Sequence, residues 1–91
     1  MTEKIHTDIQ ALQSKIDFYR EIGKTYRKQA DAALINADYL MQVYNASNAK
    51  EDYDACVTCS DRATELEARA DAIEKAVDAL IDAIEALTEL Q

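Results

Sequence analysis

The chain has no proline or tryptophan, and among its 91 residues it has only one glycine, one histidine and one phenylalanine. Proline and glycine are the residues that most often end helices and form tight turns, so their scarcity excludes folds with many turns. Alanine is abundant, and hydrophobic residues make up 48% of the chain. This composition is typical of long helices joined by few turns. The length allows a single domain, residues 1–91.

Long apolar runs are missing as well. No stretch approaches the roughly 20 apolar residues of a membrane span, and the N-terminal residues do not have the apolar segment of a signal peptide. We therefore expect a cytoplasmic protein that does not bind membranes. Its two cysteines, Cys56 and Cys59, are expected to be free thiols in that reducing compartment.

Apolar and small residues recur in a heptad pattern along both halves of the chain, which predicts two coiled-coil-like helices. In the first half the a positions are Ile9, Ile16, Gly23, Ala30, Ala37 and Tyr44, and the d positions are Ile5, Leu12, Tyr19, Tyr26, Ala33 and Leu40. In the second half the a positions are Cys56, Ala63, Ala70, Val77 and Ile84, and the d positions are Cys59, Leu66, Ile73, Leu80 and Leu87. The first frame continues through Gly23, which indicates a close approach of the helices there; a hinge at Gly23 is the alternative.

One cluster of turn-forming residues, Asn45, Ser47 and Asn48, separates the two frames. Asn48 followed by Glu51 has the spacing of an N-cap box. We therefore predict helices over about 3–45 and 49–90, packed as an antiparallel hairpin. In that register Arg20, Lys24, Arg27 and Lys28 face the level of Asp71, Glu74 and Asp78, where the expected role of these cations is to form ion pairs.

The second helix is apolar over an arc of about 160°, wider than one partner helix covers. The excess comes from a ridge at heptad positions c and g: Ala72, Ala76, Ala79, Ala83, Ala86 and Leu90. We predict that this alanine ridge is a dimer interface and that two hairpins form a four-helix bundle. A different protein could supply the missing helices instead, or alanine could be present only for its helix propensity.

The net charge of −8 is unevenly distributed. Residues 1–50 hold six acids and seven Lys/Arg, whereas residues 51–91 hold twelve acids and three Lys/Arg. Seven acids form a row on the side of the second helix opposite the alanine ridge: Glu67, Asp71, Glu74, Asp78, Asp82, Glu85 and Glu89. Acids at a helix C-terminus oppose the helix dipole, so this acidic row is not arranged for stability alone. It is either a solubilising face or a surface for a basic partner.

From these features we predict a non-enzymatic protein-binding protein, a homodimer that presents acidic faces to a basic protein partner. Phe18, Ile35 and Tyr39 lie outside the heptad seam and are candidate apolar anchors for recognition. In composition the chain resembles the small acidic helical inhibitors that phages encode, which occupy nucleic-acid-binding surfaces by mimicking nucleic acid. The same charge argues against direct binding of nucleic acid by this chain.

Two other classes of function stay open at this level. A structural or assembly subunit, or a co-chaperone, of a secretion or phage assembly system would have this size and shape. A metal or redox sensor would use Cys56 and Cys59, the weak candidates for a metal site, although the acids around them disfavour the thiolate. His6 and the serines have no partner in a recognisable catalytic motif, so we expect no catalytic residues, no enzymatic activity and no cofactor.

Overall fold

Two long helices make up the fold in the computed structural model, which describes residues 2–91. Helix α1 is Thr2–Ser47 and helix α2 is Lys50–Glu89. They pack side by side as a hairpin, and the Cα atoms extend over 68 × 14 × 13 Å. The radius of gyration is 20.3 Å, against about 12 Å for a compact domain of this length. Neither of these helices has a segment long and apolar enough to cross a membrane.

The heptad seam predicted from the sequence is the contact between the two helices. Every a and d position named above is buried or half-buried. The fully buried residues are Ile16, Ala30, Ala33, Ala37, Cys56, Ala63, Leu66, Ala70 and Val77. Five of these nine are alanines. The core is therefore thin, and the helix axes are held close together mainly by small side chains.

Gly23 is a point of close approach and not a hinge, because α1 runs through it without interruption. A Cβ atom placed at Gly23 would lie 3.3 Å from Cγ2 of Ile73. The ring centroids of Tyr44 and Tyr53 are 5.3 Å apart near the turn, as the register predicts. Residues whose numbers sum to about 96 therefore lie at the same height along the hairpin.

The turn is shorter than predicted and is built differently. Asn45 and Ser47 belong to α1, and only Asn48 and Ala49 lie between the helices. The assignment of Asn48 as an N-cap is wrong: Asn48 has a φ of 53° and donates its backbone N–H to the carbonyl of Tyr44 at 2.7 Å, which ends α1. Asparagine tolerates this left-handed conformation better than most residues do.

The N-cap of α2 is Ala49, which has no side-chain group to accept a hydrogen bond. The Ser47 hydroxyl serves the turn instead. It accepts the backbone N–H of Ala49 at 3.1 Å and donates to the carboxylate of Asp52. Asp52 lies three residues after the N-cap, where a negative charge favours the start of a helix. One serine thus connects the end of α1 to the first turn of α2.

Replacing Ala49 with serine is expected to stabilise the protein by about 1 kcal/mol, because a serine side chain can accept a free backbone N–H of the first turn of α2. For a domain of this size that corresponds to a rise of about 4–8 °C in the midpoint of thermal unfolding. Circular dichroism at 222 nm, the usual helix signal, measures it. Ala46→Ser, one residue before the end of α1, is the control and should give no rise.

Candidate functional site

The acidic row of α2 is exposed along its whole length, as predicted, but its members differ in their partners. All seven carboxylates are exposed. Arg27 of α1 binds two of them, Asp71 at 2.9 Å and Glu74 at 2.7 Å. Glu67 and the C-terminal four, Asp78, Asp82, Glu85 and Glu89, form no ion pair within residues 2–91. The uncompensated charge of the acidic row is therefore concentrated at the end of the hairpin away from the turn.

The predicted pairing between the cations of α1 and the acids of α2 is made by Arg27. Its hydrogen bonds to Glu74 and then to Asp71 raise the pKa of the Arg27 guanidinium above its ordinary value. Lys24 instead contacts Glu21 of its own helix at 3.4 Å, and the other recorded pair, Arg69 with Glu65 at 2.6 Å, is within α2. The register places the opposite charges at the same height, but of the four cations only Arg27 bridges the two helices.

A groove beside Gly23 was not foreseen from the sequence. It has a volume of about 550 Å³, and its apolar floor includes Gly23, Ala70, Ile73 and Val77. Its rim carries both signs of charge: Arg20, Lys24, Arg27 and Lys28 with Asp31, Glu74 and Asp78. The missing side chain of Gly23 is the sequence signal that could have indicated it. The mixed rim gives the groove no preference for a ligand of one charge.

The alanine ridge is only partly covered by α1. Ala76 and Ala83 are half-buried, whereas Ala72, Ala79, Ala86 and Leu90 are exposed. For the alanines this follows from heptad geometry, since position g borders the seam and position c lies one step further round the helix. Leu90 is at position g but lies beyond the last residue of α2 and is 70% exposed. The hairpin partner therefore leaves the outer half of the apolar arc open to solvent.

The three candidate anchors on α1 are among the most exposed large apolar residues of the molecule. Phe18 and Tyr39 are each 64% exposed and Ile35 is 68% exposed. Phe18 and Tyr39 share position c and lie on one line of α1, whereas Ile35 lies at position f on the outer surface. The structure does not bring the three into one patch, because 21 residues separate Phe18 from Tyr39.

An apolar patch lies near the turn, on the side of the seam opposite to Phe18. It is formed by Leu34, Met41, Tyr53 and Val57, all of which are partly exposed. Leu34, Met41 and Tyr53 occupy position e of their heptads. Because e positions of antiparallel helices lie on one side of the seam, the heptad assignment could have identified this patch before the structure.

The two cysteines lie in the seam, one turn apart on α2, and both are free thiols. Cys56 is buried, and its thiol donates a hydrogen bond to the backbone carbonyl of Ala37 at 3.3 Å. Cys59 is half-buried. Within residues 2–91 no group of three or more histidine, cysteine or acidic residues is placed to hold a metal ion. The environment of Cys56 is that of a small core side chain.

Neither a protein-family model, nor a curated protein, nor a solved structure matches this chain. Its function is therefore argued from the surfaces described above.

Proposed function

We propose that this chain is a non-enzymatic, cytoplasmic protein-binding protein that works as a dimer of acidic hairpins and occupies a basic surface of a partner protein. The observation that carries this proposal is the charge at the far end of α2. Four exposed carboxylates there have no cationic partner among the described residues: Asp78, Asp82, Glu85 and Glu89. A hairpin built for stability alone would place lysine or arginine in the last turn of α2, which contains Glu89 and no basic residue.

The spacing of these acids suits a basic, nucleic-acid-binding surface on the partner. At 1.5 Å per residue, the row from Asp78 to Glu89 spans roughly 16 Å. Duplex DNA carries one charge per roughly 1.7 Å of its axis, so a single row imitates it sparsely. Two rows in a dimer double the charge presented. Such a row accelerates and selects association with a positive surface, and an exposed apolar residue on the outer surface, such as Ile35, supplies contact area.

The test is reversal of the charge at the far end of α2. In the triple variant Asp78→Lys, Asp82→Lys, Glu85→Lys, we expect loss of a partner that wild-type protein captures from nuclease-treated host lysate. The matched control reverses three exposed acids near the turn: Glu51→Lys, Asp54→Lys, Asp61→Lys. It has the same net charge but keeps the acidic row, so it should retain the partner.

Two further measurements decide whether the contact is electrostatic and on a nucleic-acid-binding surface. Capture should fall at high salt, because the Debye length drops from about 30 Å at 0.01 M to about 3 Å at 1 M. Excess duplex DNA should also displace the purified partner. Equal capture by the triple variant and the control would refute the acidic row as the binding surface, and displacement by salt but not by DNA would refute the nucleic-acid-binding site.

A further inference from the structure

The hairpin exposes more surface than a compact protein of its mass. Its accessible surface is 6686 Å² for 10.2 kDa, whereas the scaling for compact monomers gives about 5300 Å². The side bearing positions c and g is 68 Å long. A strip of that length and one hairpin wide has room for the roughly 800 Å² per partner that ordinary stable interfaces bury. This side is therefore large enough to hold a second chain.

Large and small residues are separated between the two helices on this side. On α1 the apolar residues at positions c and g include Phe18, Ile22, Tyr39 and Val43. On α2 the same positions carry the alanine ridge at the height of Phe18 and Ile22, and the small residues Ala55 and Thr58 at the height of Tyr39 and Val43, with Arg62, Glu65 and Arg69 between them. Helices pack at an even distance when large side chains on one fill the space above small side chains on the other. The side thus favours contacts of α1 with α2 of another copy over contacts of like helices.

One symmetry brings α1 of each copy against α2 of the other, namely a two-fold axis parallel to the helices. Rotation about this axis causes no shift along the hairpin, so facing residues must lie at the same height. The close approach of Gly23 to Ile73 sets that height, with residue numbers that sum to about 96. The heptad positions bring Phe18 opposite Ala76 and Ile22 opposite Ala72, and the residue numbers of each pair sum to 94. The alignment given by the heptad positions and the alignment required by the symmetry therefore differ by only two residues.

The charges beside this contact agree with the same alignment. Glu21 and Lys75 are both exposed, both occupy position f at the edge of this side, and their numbers sum to 96. Lys75 has no ion pair within residues 2–91. The next alignment that the heptads allow would place Glu21 against Asp82 and Lys28 against Lys75, two repulsive pairs. A shift of one heptad in the other direction would place Lys28 against Asp61, an attractive pair, so the symmetry and not the charges excludes that alignment.

We propose that a second copy of this chain docks on the c and g side about a two-fold axis parallel to the helices. Phe18 and Ile22 of each copy pack on Ala76 and Ala72 of the other, and Glu21 lies beside Lys75. This inference rests on the proposed function for the role of the dimer, and it adds the surface, the alignment and the ion pair. In the bundle the acids at positions b and e stay on the outside, since these positions point away from this side, whereas Asp82 and Glu89, at position f, lie at its edge.

The first test places a charge in the interface without touching the core of the hairpin. Ala72 is exposed in the hairpin, so Ala72→Glu should fold, with an unchanged helical circular dichroism signal, but run as a monomer in light scattering. Thr64→Glu has the same added charge at position b and should stay dimeric. Wild-type protein that is monomeric at the same concentration, or Ala72→Glu that stays dimeric, would overturn the proposal.

The second test reads the alignment through a charge swap. Glu21→Lys and Lys75→Glu should each weaken the dimer by about tenfold, because each replaces two symmetric ion pairs with two repulsive ones. The double variant should return to within about threefold of wild type. Weakening in both single variants without recovery in the double variant would exclude this alignment. Partner capture by Ala72→Glu, whose acidic row is intact, separates failure of the dimer from failure of the acidic row.

Discussion

Leu66→Ala is expected to lower the free energy of unfolding by about 2–5 kcal/mol. Leu66 is only 2% exposed, and Ala30 lies at the same height on α1. The buried seam residues nearest in height to Leu66 include Ala30, Ala63 and Ala70, each 1% exposed, and alanine side chains cannot occupy the space that the leucine leaves. The total free energy of unfolding of a small domain is about 5–15 kcal/mol, so this loss is a large share of its stability.

Leu34→Ala is the matched control, since it removes the same atoms from a residue that is 41% exposed. It should cost less than about 1 kcal/mol in the isolated hairpin. Urea unfolding followed by circular dichroism measures both, at one fixed protein concentration because the proposed dimer would couple association to stability. If the two variants lose equal stability, the seam at Leu66 does not contribute more than the surface does.

The seam could be predicted from the sequence because heptad spacing and helix geometry leave little freedom. Each apolar residue at position a or d must face the other helix once the chain forms two long helices joined by a short turn. The close approach of the helices at Gly23 could be predicted by the same reasoning, because a heptad pattern that continues unbroken through a glycine indicates close contact there. The register then placed Tyr44 beside Tyr53 and Arg27 opposite Asp71 and Glu74, both of which the structure contains.

The turn could not be predicted in the same way, because two preferences of asparagine compete at one position. Asn48 with Glu51 fits an N-cap box, but asparagine also tolerates the left-handed conformation that ends a helix. The outcome depends on Ser47, whose hydroxyl connects Ala49 and Asp52, and no spacing rule indicates that contact. The ion-pair partners of exposed cations could not be predicted from the sequence either. Lys24 and Arg27 both lie near acids of α2, yet only Arg27 reaches them.

The candidate surfaces could be located from the sequence, but what they bind could not. The acidic row and the alanine ridge follow from helix periodicity alone. Only the structure shows which acids of the row have a partner. Arg27 binds Asp71 and Glu74, and the acids from Asp78 onward have no cationic partner among residues 2–91. Recognition depends on the matching of two surfaces, and only one of them is encoded here.

Ala63→Leu is expected to destabilise the protein by about 1–3 kcal/mol through overpacking. Ala63 is 1% exposed, and Ala33 lies at the same height on α1. The helices are close in this part of the seam, since the thiol of Cys56 reaches the backbone carbonyl of Ala37 at 3.3 Å. A leucine at position 63 has no free volume beside it, so the helices must separate or the side chain must leave its preferred rotamer.

Ala68→Leu makes the same substitution at an exposed position five residues further along α2 and measures the cost in helix propensity, which is small. The expected difference between the two variants in urea unfolding is therefore the cost of separating the helices. Thiol labelling gives an independent reading: Cys56 is 5% exposed, and it should react faster with a thiol reagent in Ala63→Leu than in Ala68→Leu. Equal labelling rates together with equal stability would show that the seam around Ala63 has space for a larger residue.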